Sequence, residues 1–241
     1  MVSTIAKPAA ILFDLDGTLV DSAPDLAAAM NQVRQLRALP PVPYELLRPH
    51  ASAGARGLIA VAFGLTPGDD QYEVLRVAFL DTYAADIARH SRLFAGVPEL
   101  LEALAADGIA WGIVTNKAAR FTDALVPLLP LSAAACVISG DSTAHAKPHP
   151  APLLEAARRI GTNPESCWYV GDDLRDIEAG RAARMRTVSV GWGYGDPLQP
   201  VPWEADSHVS TPSDLRSLLI AICSDRAAVR TVAPIGRVPG G

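Results

Sequence analysis

Two carboxylates two residues apart, set directly behind a short apolar run, are the first feature with chemical consequence. Asp14-Leu15-Asp16-Gly17-Thr18-Leu19-Val20-Asp21 follows Ala10-Ile11-Leu12-Phe13, so Asp14 and Asp16 fall at the C-terminal end of a predicted strand. Strand periodicity puts both on one side, with Leu15 facing away. Two carboxylates about 4 Å apart repel by roughly 4 kcal/mol at an effective dielectric near 20, so a cation is expected between them. Gly17 allows the chain to turn sharply at once. A plain polar turn would explain one Asp but not the whole string.

A second acidic group, Gly171-Asp172-Asp173-Leu174-Arg175-Asp176, again stands directly behind an apolar run, Trp168-Tyr169-Val170. Taken alone it also reads as a helix start, where acids favour the dipole. If the two strands are neighbours, the acids converge into an oxygen-rich site suited to Mg²⁺, which binds through a few carboxylates, waters and substrate phosphate. Two smaller signals join them. Thr115-Asn116 closes the run Trp111-Gly112-Ile113-Val114 and offers a hydroxyl and backbone N–H groups, and Lys147, before Pro148, offers a compact positive charge.

The elements that must position these residues are legible as alternation. Apolar runs at 10–13, 111–114, 136–138, 168–170 and 187–190 suit strands buried on both faces, and helical patterns separate them at 98–106, 118–129, 152–160 and 176–183. Pro98 fits a first helical position, and Thr211-Pro212-Ser213-Asp214 predicts a capping box for a last helix. The fold class is therefore α/β with a doubly wound parallel sheet, whose ligands bind at the C-terminal strand ends. Residues 22–92 carry only helical patterns, too long for a loop, and predict a helical cap over the sheet. The expected organisation is a catalytic core of 1–21 and 93–224, the cap, and a flexible tail of 225–241.

Composition narrows the partners. A net charge of -5 over 241 residues gives no reason to expect nucleic acid or an anionic membrane. No apolar run approaches the ~18 residues of a span, and Asp14 and Asp16 interrupt the only segment resembling a signal sequence, so a cytoplasmic location is expected. Cys136, Cys167 and Cys223 show no pairing pattern and predict reduced thiols. The five histidines lack metal-ligand spacing. Gly191-Trp192-Gly193-Tyr194-Gly195 lacks dinucleotide-loop spacing and reads as an active-site rim loop or simple turn chemistry.

In order and spacing, Asp14-x-Asp16, Thr115, Lys147 and Gly171-Asp172-Asp173 resemble the four motifs of the haloacid dehalogenase superfamily, over residues 9–222. The string through Ser22 is the specific part. The helical block is similar to that family's C1-type cap, and the chain resembles the phosphoglycolate phosphatase group. Residues 51–58 and 90–101 are closer still to the N-acetylmuramic acid 6-phosphate phosphatases of cell-wall recycling. The resemblance implies a Mg²⁺-dependent phosphatase acting on a small phosphorylated metabolite, N-acetylmuramic acid 6-phosphate or 2-phosphoglycolate. In that scheme Asp14 is nucleophile and Asp16 general acid and base. Thr115, Asn116 and Lys147 hold phosphoryl oxygens, while Asp14, Asp172 and the Asp16 backbone carbonyl hold the metal. Either Asp173 or Asp176 supports the metal, since Gly-Asp-Asp-Leu-Arg-Asp departs from the commoner motif. A phosphosugar mutase shares the paired acids. A receiver-type signalling module also phosphorylates an Asp, but on a mid-domain strand and without a cap. Within the predicted cap, Gly54 permits close backbone approach, and Arg56, the one charge in 51–57, is the expected reader of a substrate carboxylate.

Overall fold

Six strands form one parallel sheet in the order β5-β4-β1-β6-β7-β8. The computed structural model describes residues 7–195 and 203–229, with side chains of the last helix described to residue 222. The strands are β1 (Ala10–Phe13), β4 (Ala110–Val114), β5 (Val137–Ile138), β6 (Cys167–Gly171), β7 (Arg186–Val190) and β8 (Ser207–Val209). β1 is central. Its register, Phe13↔Ile113 on one side and Phe13↔Val170 on the other, brings the ends of β1, β4 and β6 level. Every residue of β1 and β6 is buried, as expected of strands covered on both faces. The strand order reverses beside β1, which opens a crevice at the C-terminal edge.

Five helices cover the sheet: α5 (Val97–Ala106), α6 (Ala119–Leu125), α7 (Ala151–Ile160), α8 (Leu174–Ala182) and α9 (Pro212–Val229). α8 opens on a reciprocal capping box between Asp173 and Asp176, and α9 on one between Thr211 and Asp214. The chain leaves this layer through β2 (Val20–Asp21) and returns through β3 (Arg92–Leu93), which pair antiparallel as a two-strand stem. Between them lie α1 (Ala23–Gln35), α2 (Tyr44–Leu47), a 3-10 turn (Arg48–Ala53), α3 (Gly54–Phe63) and α4 (Tyr72–Ala85). These helices share one apolar cluster with the sheet face, running from Ile11 and Phe13 through Leu19 and Val20 to Met30, Phe79 and Tyr83.

Three features depart from expectation. β8 carries one buried side chain, Val209, in three residues, too little for periodicity to register. The two-residue stem strands are likewise below that limit. The segment expected to be tail from 225 begins inside α9, which continues to Val229, and the rest of that segment lies outside the described residues. Cys136 and Cys167 are buried free thiols, whereas the Cys223 side chain lies outside the described residues. Among the described residues, no helix is long and apolar enough to cross a membrane.

Candidate active site

The turn after β1 builds the site floor. The Asp14 N–H bonds to the Val170 carbonyl at 2.9 Å, extending the ladder by one residue. The chain then folds back, with the Leu19 and Val20 N–H groups both reaching the Leu15 carbonyl. Gly17, at φ 89°, packs so closely on Asp172 that a Cβ would overlap its carboxylate. Gly193 packs on the other side of the same group with the same effect. Asp172 accepts from Thr18 Oγ1 at 3.0 Å, from the Tyr194 N–H at 3.1 Å and from Ser52 Oγ at 3.3 Å. The glycine-rich 191–195 loop is therefore part of the site: it fixes Asp172, and the Trp192 indole bonds the Thr18 carbonyl at 2.9 Å.

Asp14, Asp172 and Asp176 place carboxylate oxygens within 4.8 Å of one another. Lys147, 5% exposed, reaches Asp14 Oδ1 and Asp176 Oδ1 at 2.8 Å each, the Tyr169 hydroxyl at 2.8 Å and the Val114 carbonyl at 3.1 Å. Burial pushes the Asp14 carboxyl up to about 7, against the pull of Lys147 and with help from Asp176 and Asp16. Burial likewise pushes Asp172 up to about 8, reinforced by Asp14 and Asp176. Burial alone would lower the Lys147 ammonium, but Asp14 and Asp176 more than reverse this and hold it above its ordinary value. Once ionised, three buried carboxyls around one ammonium leave an excess of negative charge. That is the electrostatic signature of a site for a further cation.

Several residues stand differently from the sequence reading. The Asp16 carboxylate is not turned to share a cation with Asp14. It accepts from the Ser22 hydroxyl and from Lys117 Nζ at 3.0 and 3.1 Å, because the tight turn beginning at Leu15 rotates it away from strand periodicity. Asp176, not the Asp16 side chain, joins Asp14 and Asp172. Asp173 caps α8 and pairs with Arg175 Nε at 2.7 Å, so it faces a guanidinium. Asn116 clamps the Lys147 backbone with both ends of its amide, at 2.9 Å each, and its own N–H has no acceptor among the described residues. Thr115 is buried, and its hydroxyl accepts from the Lys117 N–H at 3.1 Å.

A cavity of about 730 Å³ rises from these groups, walled by Gly54 and Ala55, by α4 and by the start of α6. Arg56 does not line it. It shares the solvent face of α3 with Ala60, one turn on, while Gly57, Leu58 and Ala62 take the buried face. Lys117, Tyr83, Arg120 and Arg175 do line it, and sequence reasoning found none of them. Lys117 carried the available signal, following Thr115-Asn116 at a strand end. Its ammonium also lies 4.7 Å from the centre of the Tyr83 ring on α4.

A parallel sheet gathering buried acids and two ammoniums at its C-terminal edge, beneath a helical insert, defines an enzyme of the α/β class with a site suited to a cation and an anionic ligand. The family description "haloacid dehalogenase-like hydrolase" matches residues 8–184. The chain is 43% identical over 217 residues to an N-acetylmuramic acid 6-phosphate phosphatase of Pseudomonas putida, covering 89% of this chain and 97% of that one. It is 46% identical over 211 residues to a phosphoglycolate phosphatase of Xanthomonas campestris, covering 86% and 95%. A crystal structure described as a "predicted phosphoglycolate phosphatase" from Haemophilus somnus superposes with a TM-score of 0.77 at 28% identity, covering 89% and 99%. The chain belongs to the haloacid dehalogenase-like hydrolases and is a phosphatase within them.

Proposed function

We propose that this protein is a Mg²⁺-dependent phosphatase that cleaves N-acetylmuramic acid 6-phosphate through an aspartyl-phosphate on Asp14. The observation that carries the reading is the buried trio Asp14, Asp172 and Asp176 around Lys147 at the sheet's C-terminal edge. The donor set fits a hard divalent cation: all oxygen, excess negative charge, and a cradle kept open by two glycines that no side chain could replace. Asp14 and Asp172 would hold Mg²⁺ with the Asp16 carbonyl, and Asp176 would balance charge beside them. The bound cation supplies neutralisation of the phosphoryl oxygens and the approaching carboxylate.

The chain's own residues do the rest. Asp14 Oδ1 is held by the Leu15 N–H and Lys147, both at 2.8 Å, which fixes the carboxylate for in-line attack. An oxygen–phosphorus bond forms at Asp14, and the bond to the substrate alcohol breaks. Asp16 gives the departing alkoxide a proton, then takes one from the water whose oxygen attacks phosphorus and releases Asp14. Ser22 and Lys117 orient Asp16 for both transfers. Lys147, Thr115 and the Asn116 N–H hold the remaining oxygens, where positioning and electrostatics supply most of the rate. Helices α1–α4 act as the cap. Ser52 touches Asp172 and its carbonyl accepts from Arg175 at 2.8 Å, so closure and the acidic site are in contact.

The choice of substrate rests on the cavity. About 730 Å³ with the rings of Phe79, Tyr83 and Phe121 on its wall suits a pyranose, whose apolar faces pack on aromatics, better than a two-carbon acid. Steady-state kinetics on N-acetylmuramic acid 6-phosphate and 2-phosphoglycolate, with Mg²⁺ and with EDTA, test the reading. The amino sugar should show the higher kcat/KM and EDTA should abolish turnover. Preference for phosphoglycolate, or full activity in EDTA, would refute the substrate or the metal respectively.

A further inference from the structure

Five cations line the cavity: Arg76, Lys117, Arg120, Lys147 and Arg175. Four of them sit on a carboxylate of the protein. Arg76 pairs with Glu73 at 2.8 Å, Lys117 with Asp16 at 3.0 Å, Lys147 with Asp14 at 2.8 Å and Arg175 with Asp173 at 2.7 Å. Arg120 is the exception. It has no acidic partner among the described residues, and its guanidinium lies over the Phe121 ring, 4.4 Å from the centroid. The exposed, acid-free fork suits bidentate capture of a carboxylate.

The same wall links Arg120 to the catalytic edge through two aromatic rings. Phe121 packs on Tyr83 at 5.5 Å between ring centres, and Tyr83, 2% exposed, buries its hydroxyl against the Lys117 ammonium. The wall thus runs from Lys117 and Asp16, over Tyr83 and Phe121, to one unneutralised guanidinium.

We propose that Arg120 determines specificity by reading a carboxylate on the alcohol half of the phosphate ester. This rests on the phosphatase reading above and names the substrate class for that site: phosphate monoesters of hydroxy acids or acid-bearing sugars. One planar guanidinium, with Asp141 also on the wall, matches a single negative charge better than a second phosphate, which would call for more positive charge than Arg120 supplies.

The test measures kcat and KM for N-acetylmuramic acid 6-phosphate and for N-acetylglucosamine 6-phosphate, which lacks the lactyl acid. It compares wild type, Arg120→Gln and Arg120→Lys, each checked by circular dichroism. Arg120→Gln should lower kcat/KM for the acid by roughly 10- to 100-fold more than for its acid-free counterpart, the range of a charged hydrogen bond, with the change mainly in KM. Arg120→Lys should fall between, keeping charge but losing the fork. Equal losses on both substrates, or an unchanged preference, would overturn the assignment. If wild type turns over neither amino sugar, the substrate of the preceding section is wrong. The same comparison is then made between 2-phosphoglycolate and ethyl phosphate, and Arg120→Gln must still erase the preference for the acid.

Discussion

The sheet's C-terminal edge and the helical insert share one cavity, yet they are built on opposite principles. At the edge the reactive acids and Lys147 are held more than once: Asp172 by three donors and two glycines, Lys147 by four oxygens. On the insert's side, Tyr83 meets the Lys117 ammonium alone and Ser52 offers one long hydrogen bond. The saturated region is preorganised for a step common to all its substrates, where a small displacement is expensive in rate. The unsaturated region has bonds to give, which is what recognition of a particular leaving group requires.

Substitutions on the two sides should differ in both size and kind of effect. The largest effect belongs to the edge. Asp14→Asn keeps size and removes the attacking charge, so kcat should fall by at least about 10³-fold with a native circular dichroism spectrum. Retained activity in a folded Asp14→Asn protein would remove Asp14 from the nucleophile role. Lys117→Met lies between the regions, because its ammonium holds Asp16 and stacks on Tyr83 of the insert. Loss of its hold on the acid should cost roughly 10²-fold in kcat with little change in KM, within the range for general acid–base groups. An effect confined to KM would make Lys117 a binding residue instead.

The smallest effect is on stability, and its sign follows from the raised carboxyls. Asp14 at about 7 and Asp172 at about 8 bind protons in the folded protein where an unfolded Asp, near 3.8, has already lost them. Their contribution is therefore fully present below about pH 4 and is lost as pH rises through 7 to 8. In EDTA the melting temperature should fall between about pH 4 and pH 8 and level off above that, and Asp172→Asn should flatten that fall. Millimolar Mg²⁺ should oppose it, since the cation binds the ionised form; saturation at about 100 times Kd adds roughly 2.7 kcal/mol. A melting temperature that rises across this window in EDTA would contradict the assignment of both groups.

The same contrast governs what could be read from sequence. β1, β4, β6 and β7 were legible because strands buried on both faces write unbroken apolar runs, and Asp14, Thr115 and Asp172 each follow one directly. Chain order alone therefore brought most of the edge together. Asp16 was misdirected because strand periodicity was carried into a turn that ends it. Asp176 was left level with Asp173, and their reciprocal capping box turns the one inward and the other to Arg175. In the insert, helical periodicity marks which residues are buried but not which buried face meets the cavity. Arg56, the one charge beside small residues, lies on the solvent face of α3, whereas Tyr83 on α4, and Arg120 on α6 outside the insert, sit in patterns that read as ordinary helix.

The most direct test of the central claim is chemical capture of the intermediate. Enzyme mixed with ³²P-labelled N-acetylmuramic acid 6-phosphate and Mg²⁺ is quenched in acid within milliseconds, digested and mapped. Hydroxylamine-sensitive label is expected on the peptide containing Asp14 and is absent in Asp14→Asn. Rapid phosphate release with no label at Asp14 at any quench time, or label on another residue, would contradict it.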